Sequence, residues 1–278
     1  MQTIPRVSLL LRALLMAALL PLALPLSAYD SHGDYQLLKL NGYVVKWGEQ
    51  TLGVGARVSY AFANEALRFE GARNCGDLVP MDRLAGPDLP MDELVRETAA
   101  AFRVWERAAG LSFHRVDDVR DADIILGAQG RPRGQAFANV TYAPGAVDGV
   151  RTIDQALVCL NPEHRWKVGF DGRKDVYDIR YTLIHEIGHA IGLDHPGASG
   201  QVMGFRYTEA FAELQPGDLQ GVRRLYGDAP GYNDGHSPAP DTRIARKAVD
   251  TRKPAPDEGA AVVVDGYLAI GEQDSDQP

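Results

Sequence analysis

Apolar residues recur along this chain with two different periods, and the switches between them mark out the elements. Residues 43–62 are rich in β-branched and aromatic side chains but broken by Gly48, Gly53 and Gly55, as expected of an edge strand or hairpin that opens a sheet. Leu94, Val95, Thr98, Phe102 and Trp105 then recur at helical spacing, which predicts a helix capped by Asp92 and ended by Gly110, with its apolar side given to core packing. Segments 111–116, 123–126, 136–142 and 156–160 are short and apolar or alternating, and read as strands; 72–90 reads as a loop. A strand, a helix and then further strands suit a mixed sheet with a crossover helix. A second helix is predicted between Asp178 and Gly192, where Tyr181, Ile184, Ile187, Gly188 and Ile191 form an apolar side and no proline intervenes.

That second helix carries the chemistry. His185 and His189 are one turn apart, so both imidazoles reach a single ion from one face. Glu186 sits beside them at an offset that does not suit the same coordination sphere but does suit holding and deprotonating a solvent molecule. Gly192 stops the helix, since glycine accepts the left-handed backbone of a helix end, and the chain turns so that His195 supplies a third nitrogen. Three protein ligands with a fourth position open is the arrangement of a catalytic zinc site, not a structural one.

The spacing H-E-x-x-H-x-x-G-x-x-H resembles the signature of the metzincin zinc endopeptidases, and its surroundings resemble the matrixin branch in a bacterial secreted form. Gln201-Val202-Met203-Gly204 is similar to the Met-turn, in which Met203 would pack beneath the metal. Residues 214–227 resemble the closing C-terminal helix, Lys46-Trp47 with 58–62 the first strand, and 101–105 part of the first long helix, so the likeness runs from about residue 43 to 227. The resemblance implies an α+β, zincin-like catalytic domain: a mixed, twisted five-stranded sheet, two long helices and a C-terminal helix. It also implies one catalytic zinc on His185, His189 and His195, Glu186 as the general base, and Tyr207 lining the pocket for the substrate side chain just after the cleaved bond.

The chain departs from the animal matrixins at their second, structural zinc, which three histidines and an aspartate hold. No histidine lies between His114 and His164, and Gln135 and Cys159 stand where two of those ligands would be, so that site is expected to be absent. Calcium is left open: Asp123 lies in a segment that resembles one contributing to calcium binding in relatives, but a solvated or capping role suits it better. Phe205, two residues after Met203, excludes the tyrosine ligand some metzincins place there. His32, His114, His164 and His236 lack partners at ligand spacing.

Composition adds boundaries. A formal charge of −8, from 37 acidic against 29 basic residues, argues against nucleic acid or an anionic membrane as partner and fits soluble protein or peptide substrates and a monomer. Residues 1–28 read as a secretory signal peptide, with Arg6 and Arg12 before an apolar run and Leu26-Ser27-Ala28 as the cleavage region. An uncleaved anchor is the competing reading, weakened by Pro21 and Pro25. Export predicts a secreted or periplasmic location and an oxidising environment, in which Cys75 and Cys159, the only two cysteines, pair as a disulfide. Asn74-Cys75-Gly76-Asp77 has a faint likeness to the zinc-blocking propeptide segment of matrixin precursors, but it follows the first strand where that segment would precede it.

The domain reading is therefore a signal peptide over 1–28, a catalytic domain over 29–228, and a Pro-, Gly- and Asp-rich flexible tail over 229–278. Residues 261–270 are apolar enough to dock as a strand, although a loose attachment fits the composition of the whole tail. Three functions stay open: a general zinc endopeptidase, a peptidase or amidase dedicated to one cell-envelope or secreted partner, and a non-catalytic zinc-binding protein on the same fold.

Overall fold

The computed structural model describes residues 35–198, 200–231 and 262–263. The signal-peptide reading of 1–28, His32, His236 and nearly all of the 229–278 tail lie outside them. In chain order the elements that build the site are β1 (Gln36–Leu37), β2 (Tyr43–Lys46), β3 (Ala56–Phe62), β4 (Asp77–Val79), α1 (Met91–Ala108), β5 (Leu111–Arg115) and β6 (Ile124–Gln129). They continue with β7 (Ala136–Tyr142), β8 (Val150–Leu160), α2 (Ile179–Ala190), β9 (Leu193–Asp194), α3 (Pro216–Tyr226) and β10 (Val262–Val263).

The central sheet runs β5-β3-β6-β8-β7, with the first four strands parallel and β7 antiparallel to β8. Around this five-stranded, α+β frame, β4 pairs antiparallel with β6, β2 pairs parallel with the start of β8, and β10 pairs with the outer edge of β7. Side chains alternate across β7: Ala136, Ala138 and Val140 join the cluster that buries Ile184 and Ile187 of α2, while Phe137 joins a second cluster on the opposite face with Ala61, Leu78, Ile125 and Leu157. Two tryptophans tie the helices into this frame. Trp105 of α1, fully buried, donates its indole N–H to the Ile184 carbonyl at 3.0 Å, and Trp47 donates to the Ala190 carbonyl at 2.8 Å.

Three sequence expectations need correction. The stretch 72–90 is not a plain loop, because it holds β4 and a short helical turn, Met81–Leu84; its Gly, Pro, Asn and Asp residues masked the buried apolar anchors Leu78, Met81, Leu84 and Leu89. Asp92 does not cap α1. The helix begins at Met91 behind Pro90, whose ring presets the entry angle, and Asp92 sits in the first turn, where it faces the positive helix end and pairs with Arg96 at 2.7 Å. Finally, β8 starts at Val150, not 156, because β2 offers its first residues a parallel partner that local pattern does not reveal.

Cys75 and Cys159 form a disulfide with a Cα–Cα distance of 5.6 Å, both buried on the face of the sheet away from α2. It joins β8 to the segment before β4, and Asn139 of β7 supports it by accepting the Cys75 backbone N–H at 3.0 Å. Because the bridge closes a loop of 84 residues, chain entropy in the unfolded state is what it chiefly removes. Replacing both cysteines with alanine should lower unfolding free energy by about 2–4 kcal/mol. Urea denaturation of the two chains checks this, and an unchanged midpoint would count against it.

Candidate metal centre

Apart from the exposed Arg180 in its first turn, every residue of helix α2 is buried, so its polar side chains each need a partner or a purpose. Asp178 caps it: one carboxylate oxygen accepts the Tyr181 N–H at 2.7 Å and the other accepts the Gly169 N–H at 2.6 Å. At the far end Gly192 takes φ +100°, and a Cβ there would lie 2.2 Å from the Val45 carbonyl oxygen. Gly192 thus does what its sequence position suggested, for two reasons at once, a backbone angle and a close approach of β2. Gly192→Ala should cost about 2–3 kcal/mol in chemical denaturation through strain and overpacking, and a cost under half of that would mean the turn relaxes freely.

This turn brings His195 to the two helix histidines. The Nε2 atoms of His185, His189 and His195 lie 3.1 Å from one another in all three pairings. His185 donates its Nδ1–H to the Val202 carbonyl at 2.7 Å and His189 donates its own to the Leu193 carbonyl at 2.8 Å. A carbonyl can only accept, so both rings are fixed with the proton on Nδ1 and a lone pair on Nε2. Two such lone pairs at 3.1 Å cannot hydrogen-bond to each other and repel unless a cation lies between them. An equilateral triangle of that side puts its centre about 1.8 Å from each nitrogen, close enough that one ion could meet all three at the zinc–nitrogen distance of about 2.0–2.1 Å. The donor set fits zinc.

Burial reinforces the point. It holds the His185 imidazole down at about 3 and His189 well below its ordinary value, while His195 is lowered less. All three are therefore neutral near pH 7, the form a metal requires. Glu186 is fully buried, neither carboxylate oxygen has a protein hydrogen-bond partner, and burial pushes its carboxyl well above the usual range. A buried carboxylate is costly to leave unpaired, so an unpartnered one beside three inward-facing lone pairs marks a place made for something else to bind.

Met203 lies against the backbone of Gly188, where an added Cβ would come within 2.2 Å of its sulfur, so the glycine in the middle of α2 makes room for the methionine. Two residues with no role of their own assigned from sequence hold that turn. Asp218, near the start of α3, accepts the backbone N–H groups of Val202 at 2.8 Å, Met203 at 3.0 Å and Gln215 at 2.8 Å. Gln201 returns the contact by accepting the N–H groups of Gly217 and Asp218 at the same helix end. The available signal was Asp218 three residues after Gln215 with Pro216 between, the spacing of a helix start.

Tyr207 stands at the other end of α2. Its ring packs on Tyr177 and Tyr181, its hydroxyl accepts the Asp178 N–H at 3.0 Å, and it donates to Glu209, which pairs with the buried Lys167 at 2.5 Å. Phe205 is partly exposed with its ring 6.1 Å from that of His195. His114 and His164 lie elsewhere, the first near Arg57 and the second edge-on to Tyr177, and Asp123 spends its carboxylate on the Ser59 N–H and hydroxyl at 2.7 and 2.8 Å.

The sequence profile of the matrixin family matches residues 82–227. Among curated proteins the chain is 27% identical to metalloendoproteinase 5-MMP of Arabidopsis thaliana over 161 residues, covering 52% of this chain and 43% of that protein. It is 29% identical to matrilysin of Mus musculus over 153 residues (51% and 53%) and 31% identical to stromelysin-3 of Rattus norvegicus over 142 residues (49% and 27%). The matched region spans about half or less of the length of these relatives. With more than half of its own 278 residues under the family profile, the chain belongs to the matrixin family.

Proposed function

We propose that this protein is a zinc-dependent endopeptidase, with residues 29–228 as the catalytic unit and 1–28 as an export signal that delivers it outside the cytoplasm. The observation that carries this reading is the triangle of Nε2 atoms with its proton positions fixed by Val202 and Leu193, next to a buried carboxylate with no protein partner. His185, His189 and His195 would hold the zinc. When bound, zinc supplies Lewis acidity, activating solvent and polarising the carbonyl to be attacked.

The remaining steps fall to the chain's own residues. Glu186, made more basic by burial, takes a proton from solvent onto a carboxylate oxygen and later delivers it to the leaving amine nitrogen, so one group serves as base and then as acid. Met203 and Asp218 keep the floor of the site in place. An extended peptide pairs with the outer edge of β7, whose neighbour α2 carries two of the ligands, and Tyr207 helps wall the pocket for the side chain after the cleaved bond. Among the described residues no helix is long and apolar enough to cross a membrane.

Cleavage of a random decapeptide pool, with and without a chelator, tests the assignment. Products at internal bonds that vanish with chelator support it, and a single narrow motif among them would identify a dedicated enzyme. Zinc bound without any cleavage would make the protein a binder and overturn it.

A further inference from the structure

The outer edge of β7 is already taken. Were β7 the last strand, its backbone N–H and C=O groups facing away from β8 would be open for pairing, as at any sheet edge. In the structure β10 lies there, antiparallel, with Val262 opposite Val140 and Val263 opposite Asn139. This is the edge on which the endopeptidase reading lays an extended substrate, and one edge cannot hold two strands. The flanking sequence suits the position. Ala260-Ala261-Val262-Val263-Val264 is uncharged and rich in β-branched residues, set off by Asp257 and Glu258 before it and Asp265 after it. On the disulfide face a cavity of about 230 Å³ opens between Phe69, Ala72 and the Asn139, Val140 and Thr141 stretch of β7, leaving room for a side chain from whatever strand lies along this edge.

We propose that the segment around Val262–Val263 is an intramolecular competitor of peptide substrate, docking on the β7 edge and leaving it reversibly. The proposal rests on the endopeptidase reading for its consequence but not for the docking itself. About thirty residues, 232–261, join this segment to the end of the described domain, and a tether of that length gives an effective concentration on the order of a millimolar. A short strand that binds weakly on its own is thereby held for much of the time. Substrate must displace it, so the tail raises the apparent KM by the factor one plus effective concentration over the strand's own dissociation constant, and leaves kcat alone.

The test uses the full zinc-loaded chain and its Val262→Pro/Val263→Pro double variant, since proline removes the backbone donors that pairing needs. With a fluorogenic decapeptide taken from the pool products, the variant should show a KM lower by about three- to ten-fold at unchanged kcat, and a synthetic peptide of residues 258–268 should raise it again. Amide hydrogen exchange over 136–142 should be faster in the variant, whether or not either chain cleaves peptide. Unchanged exchange overturns the docking; faster exchange with unchanged KM overturns the competition; faster exchange in chains that cleave nothing keeps the docked strand and removes the peptidase reading instead.

Discussion

Glu186→Gln should cut kcat for peptide hydrolysis by about a thousand-fold while the purified chain keeps its zinc. Glutamine has the size and shape of glutamate and fills the same buried space, so packing around Ile187 and Ile184 is preserved. What it lacks is a group able to take a proton. Neither Glu186 oxygen bonds to the protein in the native chain, so no structural contact is lost, and the three histidine nitrogens that converge do not include it. General acid–base catalysis by one positioned group is worth about 10²–10⁴ in rate, and the expected loss of about a thousand-fold is the middle of that range. Steady-state rates beside elemental zinc analysis check the prediction. Activity within ten-fold of native at full zinc content would remove Glu186 from the mechanism.

Asp218→Ala should unfold the Met-turn's support and lower stability by about 3–5 kcal/mol, seen as a fall in Tm on the order of 10 °C. The carboxylate takes three backbone N–H groups in a place where water does not reach, and alanine leaves all three without an acceptor. Burial raises the proton affinity of Asp218 while those three donors lower it, so the charge is tolerated only because the donors are there. Asp218→Asn keeps one acceptor oxygen but turns an amide N–H₂ towards backbone donors, and should lose roughly half as much. The variant should also bind zinc less tightly, because the Val202 carbonyl that fixes the His185 ring belongs to the same turn. Calorimetry of the three zinc-loaded chains decides it; equal Tm values would show that the turn is held by other contacts.

How much of this could be read beforehand depended on whether a residue's partner lay nearby in sequence. The histidine spacing, Gly192 and the apolar side of α2 are local facts of helix geometry, and the sequence places them within a residue or two of where the structure does. The strand 136–142 alternates between two buried faces, so it too was legible. Asp218 was not, because its role is set by backbone donors sixteen and fifteen residues away, and nothing near it in sequence announces them. The early part of β8 and the strand β4 were missed for the same reason: each is a strand because a distant segment pairs with it. Asp92 shows the opposite error, a good local cap overruled by Pro90 two residues before it at the same helix end. The proton positions on His185 and His189, which make the strongest case for a metal, depend on carbonyls brought in by folding and leave no trace in the motif.

The three neutral imidazoles of His185, His189 and His195 are arranged to gather one cation. Zinc content of the full chain, purified with zinc present and dialysed, should be one ion per chain, and His189→Ala should reduce it to near none while the fold persists by circular dichroism. A native chain that emerges without zinc, or a His189→Ala chain that retains it in full, would contradict the account.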